Sequence, residues 1–144
     1  MELREKTGVS VMECKKALEE AGGDLQKALA ILGKRSVAAA AKKQDRTLFA
    51  GTIAAYIHNT GQVGALVSLA CETDFVSKND DFKTLARDIA MHVSAMRPTN
   101  KAELMRQEYI KDPSKTVVDL IATATQKFGE RIELNDFSCF SVTT

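Results

Sequence analysis

Apolar residues near the start of the chain recur at spacings of three and four, the period of a helix with one buried face. One such stripe runs through Cys14, Ala17 and Ala21 and ends at a pair of glycines, after which a second stripe begins. Ser10 and Glu13 have the spacing of a capping box at the start of the first stripe. The pattern predicts three short helices in residues 1–34. A bundle this small gains little from its own core, so we expect it to bind a partner.

Residues 35–46 are rich in alanine, lysine and arginine, a composition that favours a helix. We therefore predict a helical basic linker between two modules. A nucleic-acid-binding patch is an alternative for these cations, although such a run usually forms a solvated helix face. The Gly33-Lys34-Arg35-Ser36 run is not a phosphate-binding loop, because Ala28 occupies the position that needs the first glycine.

From residue 48 onward the hydrophobic period changes to two, the period of a half-buried strand. Alternating runs over residues 48–58 and 63–71 flank a turn that contains Asn59 and Gly61, which predicts a β-hairpin. Helical stripes follow at residues 79–96, 101–109 and 114–128, with Ser114 as the expected cap of the last helix. Residues 131–142 alternate as a strand, with a phase slip at Asn135 and Asp136 that suggests a bulge.

These elements predict an α+β fold with two modules. The three-helix module occupies residues 1–34 and the linker residues 35–46. The core, residues 47–144, is predicted to be a three-stranded, mostly antiparallel sheet with packed helices.

Composition changes this picture little, but it excludes several classes of protein. The chain has 144 residues, of which 44% are hydrophobic and 27% charged, with a net charge of +1. Such a composition is typical of a globular protein, and the near-neutral charge argues against direct nucleic-acid binding. The sequence contains neither an apolar run long enough to span a membrane nor a signal peptide, so we expect a cytoplasmic protein without membrane association.

No catalytic or metal-binding constellation is evident in the sequence. The cysteines at 14, 71 and 139 and the histidines at 58 and 92 lack the short ligand spacings of a zinc site. No nucleophile is paired with a base in a recognisable pattern. We therefore expect no enzymatic activity and no cofactor.

One junction has an unusual composition. Asp74 and Phe75 directly follow the second predicted strand and precede a helix. A phenylalanine beside an aspartate at this position offers an apolar wedge and a carboxylate on a rigid support. The alternative interpretation is that Phe75 belongs to the core and Asp74 stabilises the turn.

Four motifs are distinctive: residues 3–8, Leu-Arg-Glu-Lys-Thr-Gly; residues 12–18, Met-Glu-Cys-Lys-Lys-Ala-Leu; residues 71–76, Cys-Glu-Thr-Asp-Phe-Val; and residues 90–93, Ala-Met-His-Val. They resemble motifs of the bacterial elongation factor Ts family. Together they cover most of the chain in the family's order. The resemblance implies that the three-helix module is ubiquitin-associated-like. It also implies guanine nucleotide exchange on elongation factor Tu, the GTPase that delivers aminoacyl-tRNA to the ribosome.

The resemblance further implies roles for individual residues. The segment Thr73, Asp74, Phe75 and Val76 would reach the partner beside its magnesium ion, with Phe75 as a wedge between two helices. Other expected contacts with the partner are Thr7, Gly8, Val9, Met12, Lys15 and the hairpin histidine His58.

The chain is short for this family. Many members carry two core halves, often with a helical insertion after the position of Tyr109, whereas this sequence has one core unit. We therefore expect a homodimer in which a second chain supplies the missing half. The second half of the final strand, residues 137–142, is apolar on both faces and carries no lysine or proline that would protect an exposed edge, so Phe137 and Cys139 are the predicted interface residues. The alternative is that both pack beneath this chain's own helices.

Two other functions compete with nucleotide exchange. An adaptor would bind a partner through the three-helix module without driving exchange, and it would have no need of the Asp74–Phe75 pair. A nucleic-acid-binding module would lose affinity steeply with added salt.

Overall fold

The computed structural model describes residues 2–8 and 10–143, and its N-terminal part is a bundle of three helices. These are α1 (Glu2–Thr7), α2 (Val11–Glu20) and α3 (Leu25–Lys42). The Ser10 hydroxyl accepts a hydrogen bond from the Glu13 N–H at 3.3 Å, and the Asp24 carboxylate accepts from the first N–H groups of α3. Both caps satisfy donors that a helix start leaves unpaired. The apolar faces enclose a small core of Leu3, Cys14, Ala17, Ala28 and Leu32.

Helix α3 continues through Gly33 to Lys42, so it crosses the predicted boundary between the bundle and the helical linker. The residues assigned to a linker are therefore largely part of α3. Arg35 forms an ion pair with Glu20 on α2 at 2.5 Å, and the buried Ser36 hydroxyl donates to Gln126 in the core. An interior glycine costs a helix only about 1 kcal/mol, so packing on both sides of Gly33 outweighs it.

The second apolar cluster lies on one face of an antiparallel sheet. Strands β1 (Ala50–Ile57) and β2 (Val63–Cys71) form the predicted hairpin, with Ala50 opposite Cys71. The last strand, β5 (Glu133–Ser141), pairs antiparallel with the other edge of β2, which gives the order β1–β2–β5. The register shifts between Ser68 and Leu69, opposite Asn135, so the predicted phase slip is confirmed as an irregularity in pairing.

Helices cover one face of this sheet. The longest is α5 (Asp80–Met96), whose buried residues Phe82, Ile89 and Val93 pack in one cluster with Val67 and Leu69 of β2. The others are the single turn α4 (Asp74–Ser77), α6 (Lys101–Arg106) and α7 (Val117–Phe128). The last of these, α7, lies between the two clusters, since it packs against both α3 and α6. The α+β class predicted from the sequence is confirmed.

A small ribbon corrects two predicted helix ends. Strands β3 (Glu108–Tyr109) and β4 (Asp112–Thr116) pair antiparallel between α6 and α7. Helix α6 therefore ends at Arg106 rather than near residue 109, and α7 is capped by Thr116 rather than by Ser114. The Thr116 hydroxyl and the Asp119 carboxylate form a reciprocal capping box. Because this arrangement satisfies two backbone N–H donors, the helix begins after Thr116 and not after Ser114.

Candidate protein-interaction site

The most unusual surface feature is the segment Thr73–Val76, which connects β2 to α5. Thr73 caps α4 by accepting a hydrogen bond from the Val76 N–H at 3.4 Å. Val76 and Ser77 are buried, but the Phe75 side chain is 88% exposed, and Asp74 beside it is also exposed. Phe75 is therefore not a core residue, in contrast to the alternative interpretation of the sequence. An apolar ring presented in this way costs solvation free energy unless a partner covers it.

Hydrogen bonds across the fold fix the start of this segment. Oε1 of Glu130 accepts the N–H groups of Glu72 at 3.1 Å and of Thr73 at 3.0 Å, and Oε2 accepts the Thr73 hydroxyl at 2.6 Å. In return, the Glu72 carboxylate accepts the Arg131 N–H at 2.5 Å and lies 3.4 Å from the Arg46 guanidinium. Sequence reasoning missed this network because its partners are nearly sixty residues apart and follow no local pattern.

Cys71 at the end of β2 is a buried thiol and not a nucleophile. Its Sγ donates to the Thr73 carbonyl oxygen at 3.3 Å. Burial raises the pKa of the Cys71 thiol, and the nearby Glu130 carboxylate raises it further. The thiolate that nucleophilic chemistry requires is therefore disfavoured.

His92 is also structural. Nδ1 accepts the Ile110 N–H at 3.1 Å, so Nε2 carries the proton and donates to the Gln107 side-chain oxygen at 2.9 Å. The ring stacks on Tyr109 and is fully buried, and this burial lowers the pKa of His92. Burial likewise raises the pKa of Tyr109 to about 12. Neither ring faces an open site, so the network fastens α5 to the β3–β4 ribbon.

Residues 2–8 and 10–143 contain neither a metal-binding cluster nor a membrane-spanning helix. Within that part of the chain, no group of three or more His, Cys, Asp or Glu side chains is arranged to bind a metal ion. No helix there combines the length and apolarity needed to cross a bilayer.

The N-terminal contact residues suggested by the resemblance lie on the helical bundle. Met12 and Lys15 are exposed on α2, Thr7 is the last residue of α1, and Val9 lies outside the described residues. Gly8 joins the two helices with a φ of 71°, and a Cβ there would lie 2.7 Å from the side chain of Lys127.

That close approach connects the bundle to the vicinity of the Thr73–Val76 segment. Lys127 bonds through Nζ to Asp81 at 3.0 Å, and Asp81 belongs to the first turn of α5, just after the segment. The structure thus brings the α1–α2 junction and the start of α5 together through one lysine. The positive φ favours glycine at position 8, and a Cβ there would displace the flexible Lys127 side chain.

His58 lies far from this group. It is exposed at the tip of the β1–β2 hairpin, with Nδ1 3.3 Å from the Tyr56 hydroxyl. The Thr73–Val76 segment begins at the opposite end of β2, and nine strand residues span roughly 27 Å. A single partner that contacts His58 and Phe75 must therefore be at least as long as the sheet.

The predicted interface residues Phe137 and Cys139 lie on the inner face of β5, opposite Val67 and Ala65. Both are half-buried and pack against the core. The outer face of the sheet carries large apolar side chains beside the polar Ser68, Asp136 and Ser138, and no helix covers it within the described part of the chain. Its exposed large side chains are Ile53, Ile57, Leu66 and Phe140.

Comparison with known proteins agrees with these features. The family model for Elongation factor TS matches residues 72–144, a region that includes the Thr73–Val76 segment, Glu130 and β5. Elongation factor Ts of Desulfitobacterium hafniense is 36% identical over 186 aligned positions, covering 98% of this chain and 86% of the relative. The corresponding protein of Acetivibrio thermocellus is 39% identical, with 96% of this chain and 86% of the relative covered.

A third relative shows how members of this group differ in length. Elongation factor Ts of Clostridium kluyveri is 43% identical over 141 residues, which is 98% of this chain but 46% of the relative. The first alignment, at 186 positions, is longer than the 144 residues of this chain, so that relative carries residues within the matched region that this chain lacks. The relatives' shared name is that of a translation elongation factor, which supports a role in translation elongation. By identity and coverage, this chain belongs to the elongation factor Ts family.

Proposed function

We propose that this chain is a guanine nucleotide exchange factor for elongation factor Tu and that it acts in translation elongation in the cytoplasm. The observation that carries the proposal is the exposed Phe75 ring on a turn that the buried Val76 and Ser77 anchor. Aromatic side chains presented rigidly are the usual anchors of protein interfaces, because they bury much apolar area at little cost in entropy. Asp74 beside it adds a carboxylate at the same point.

The proposed mechanism uses the two exposed residues differently. Phe75 inserts between two helices of the partner, and Asp74 enters the network of water and side chains around the partner's magnesium ion. Magnesium requires near-ideal octahedral coordination and bridges phosphate oxygens, so a small displacement of its surroundings weakens GDP binding. No covalent bond forms or breaks on this chain, so the activity is not enzymatic.

Exchange then follows from linkage between two binding equilibria. If this chain lowers the affinity of the partner for GDP by some factor, GDP lowers the affinity for this chain by the same factor. An incoming nucleotide therefore releases the factor, and the cycle can repeat. The net charge of +1 gives no reason to include direct nucleic-acid binding in this scheme.

Two further surfaces complete the proposed interface. Thr7, Gly8, Val9, Met12 and Lys15 would contact the partner from the helical bundle, and His58 would contact a different domain from the hairpin tip. Because His58 and Phe75 project from opposite ends of β2, the partner is engaged at separated points. Separated contacts fix the orientation in which Phe75 reaches the nucleotide site.

We also propose that the chain acts as a homodimer. The large apolar side chains on the uncovered face of the sheet support this, since exposed patches of this kind mark interaction sites. The outer edge of β5 adds unpaired backbone groups that a second copy can satisfy. The half-buried Phe137 and Cys139 can contribute from that edge, whereas Phe140 faces outward.

Substitution of the two exposed residues tests the exchange proposal. We expect Phe75→Ala and Asp74→Ala to slow GDP release from elongation factor Tu about tenfold or more, since hot-spot truncations cost 2 kcal/mol or more. Met96→Ala is the matched control, because Met96 is also exposed but lies at the far end of α5. Complex formation without any acceleration of GDP release would favour the adaptor instead.

A further inference from the structure

We infer that Glu130 is a positioning residue, which fixes the Thr73–Val76 segment in the conformation that presents Asp74 and Phe75 to the partner. The inference rests on the proposed function for its consequence, and on the hydrogen bonds of Glu130 for its mechanism. Glu130 itself lies in the turn between α7 and β5 and is only partly exposed.

The segment needs such support because α4 is a single turn of four residues. Helix nucleation is unfavourable, and a turn this short does not persist without tertiary contacts. Two of its residues, Val76 and Ser77, are buried and anchor the turn to the rest of the protein. On the N-terminal side, between the buried Cys71 at the end of β2 and Val76, no side chain is buried, since Glu72 is half-buried and residues 73–75 are exposed.

Glu130 supplies the missing anchor at that side. One carboxylate accepts three donors: two consecutive backbone N–H groups, of Glu72 and Thr73, and the Thr73 hydroxyl at 2.6 Å. Hydrogen bonds to an ionised acceptor are shorter and stronger than neutral ones. Two adjacent peptide groups and one side chain are thereby fixed, which sets the direction in which the chain enters α4.

A reciprocal contact prevents the two turns from separating. The Glu72 carboxylate accepts the Arg131 N–H, next to Glu130, and Arg46 donates both to Glu72 at 3.4 Å and to the Gly129 carbonyl at 3.2 Å. Gly129 ends α7 with a φ of 70°, and this left-handed cap turns the chain back toward β2. The β2–α4 junction and the α7–β5 junction are therefore bonded to each other. Together they form a rigid support for the turn that carries Phe75.

We expect loss of the Glu130 hydrogen bonds to weaken the affinity for the partner more than it lowers the maximal rate of GDP release. If the competent conformation becomes a minor state, the apparent dissociation constant rises in inverse proportion to its population. A population of about one tenth would raise the half-saturating concentration about tenfold, whereas the saturated complex would release GDP at nearly the normal rate.

The test compares three variants of the full chain: Glu130→Ala, Glu130→Gln and Glu133→Ala. Alanine removes all three bonds. Glutamine retains a carbonyl oxygen for the two N–H groups and an amide for the Thr73 hydroxyl, so it should restore most of the function. Glu133→Ala is the matched control, because Glu133 is a nearby carboxylate that pairs with Arg131 and Lys101 but not with the segment.

The first readout needs no partner. We expect amide hydrogen exchange at Glu72, Thr73 and Val76 to accelerate at least fivefold in Glu130→Ala, whereas core amides such as that of Ile89 in α5 keep their protection. Unchanged exchange at the three amides, or equal acceleration throughout the core, would overturn the inference.

The second readout is the concentration dependence of labelled-GDP release from a bacterial elongation factor Tu. Glu130→Ala should raise the half-saturating concentration about tenfold, and Glu130→Gln and Glu133→Ala less than twofold. In a background that carries both Asp74→Ala and Phe75→Ala, Glu130→Ala should add less than twofold, because its effect acts through these two side chains. An effect of Glu130→Ala on the half-saturating concentration that is as large in this background as in the wild type would contradict the positioning role. A wild-type chain without any exchange activity would instead overturn the proposed function, and amide exchange would still decide whether Glu130 holds the segment.

Discussion

Two phenylalanines seven residues apart have opposite environments, and this contrast separates structural from functional roles. Phe82 is 0% exposed in the core, where its ring meets Phe128 edge to face, whereas Phe75 projects outward. We expect Phe82→Ala to lower the free energy of unfolding by about 3–5 kcal/mol. Phe75→Ala should change it by no more than about 0.5 kcal/mol, as is usual for exposed sites.

Urea denaturation of both variants measures this difference. A loss of more than about 1 kcal/mol for Phe75→Ala would mean that the ring packs against the protein, in conflict with the exposed conformation. Phe82 could be predicted from the sequence because it belongs to a helical stripe. The direction of Phe75 could not be predicted, since it depends on how Val76 and Glu130 fix the turn.

The buried His92 predicts a dependence of stability on pH. In the folded state its Nδ1 must stay unprotonated to accept the Ile110 N–H, and burial lowers the pKa of the ring. In the unfolded chain the ring takes up a proton near pH 6.5. The unfolded state therefore binds more protons below that pH, and the stability contributed by neutral His92 is complete above pH 6.5 and falls as the pH decreases through it.

The free energy of unfolding between pH 7.5 and 5.5, a range above the usual pKa of carboxylates, isolates this effect. We expect the wild type to lose stability over that range and His92→Gln to lose much less. His58→Gln, which changes an exposed histidine, should behave like the wild type. An NMR titration in which native His92 protonates above pH 6.5 would contradict the explanation.

At the scale of elements, segments with a strong hydrophobic period could be predicted from the sequence, whereas segments without one could not. The hairpin of β1 and β2, the helix α5 and the irregular pairing of β5 all follow from periodicity in the sequence. The β3–β4 ribbon does not, because a two-residue strand has no period and depends on packing against α7 and on the His92 bonds. The two neighbouring helices were accordingly predicted too long.

The continuity of α3 can be tested at Gly33. This glycine lies within the helix without a positive φ, and a Cβ at this position meets no atom within 4 Å. Gly33→Ala should therefore stabilise the protein by about 0.5–1 kcal/mol, because alanine loses less backbone entropy in a helix. Thermal melts measure the effect, and destabilisation would contradict a helix that is continuous across Gly33.

At the scale of the whole molecule, the sequence predicted the two clusters but not their connections. The contacts of Ser36 with Gln126 and of Gly8 with Lys127 join residues about ninety or more positions apart. Neither follows from spacing or composition, and the same is true of Glu130 and Thr73. The likeness to elongation factor Ts therefore pointed to the exposed segment, whereas its supports emerged from the structure.

The homodimer is a property of the whole molecule that sedimentation equilibrium can test. With reductant present at micromolar concentration, we expect a mass of twice 15.7 kDa. Phe140→Lys, which places a charge on the uncovered face of the sheet, should shift the protein toward 15.7 kDa, whereas Val37→Lys on exposed α3 should not. A wild-type mass of 15.7 kDa together with full exchange activity would rule out a functional dimer.

The most direct test of the central claim is stopped-flow release of labelled GDP from elongation factor Tu. The partner is mixed with excess unlabelled GDP and increasing concentrations of this chain. We predict a release rate that rises with concentration and approaches saturation, since the factor and GDP oppose each other's binding. A release rate that stays at the intrinsic value across the micromolar range would contradict the account.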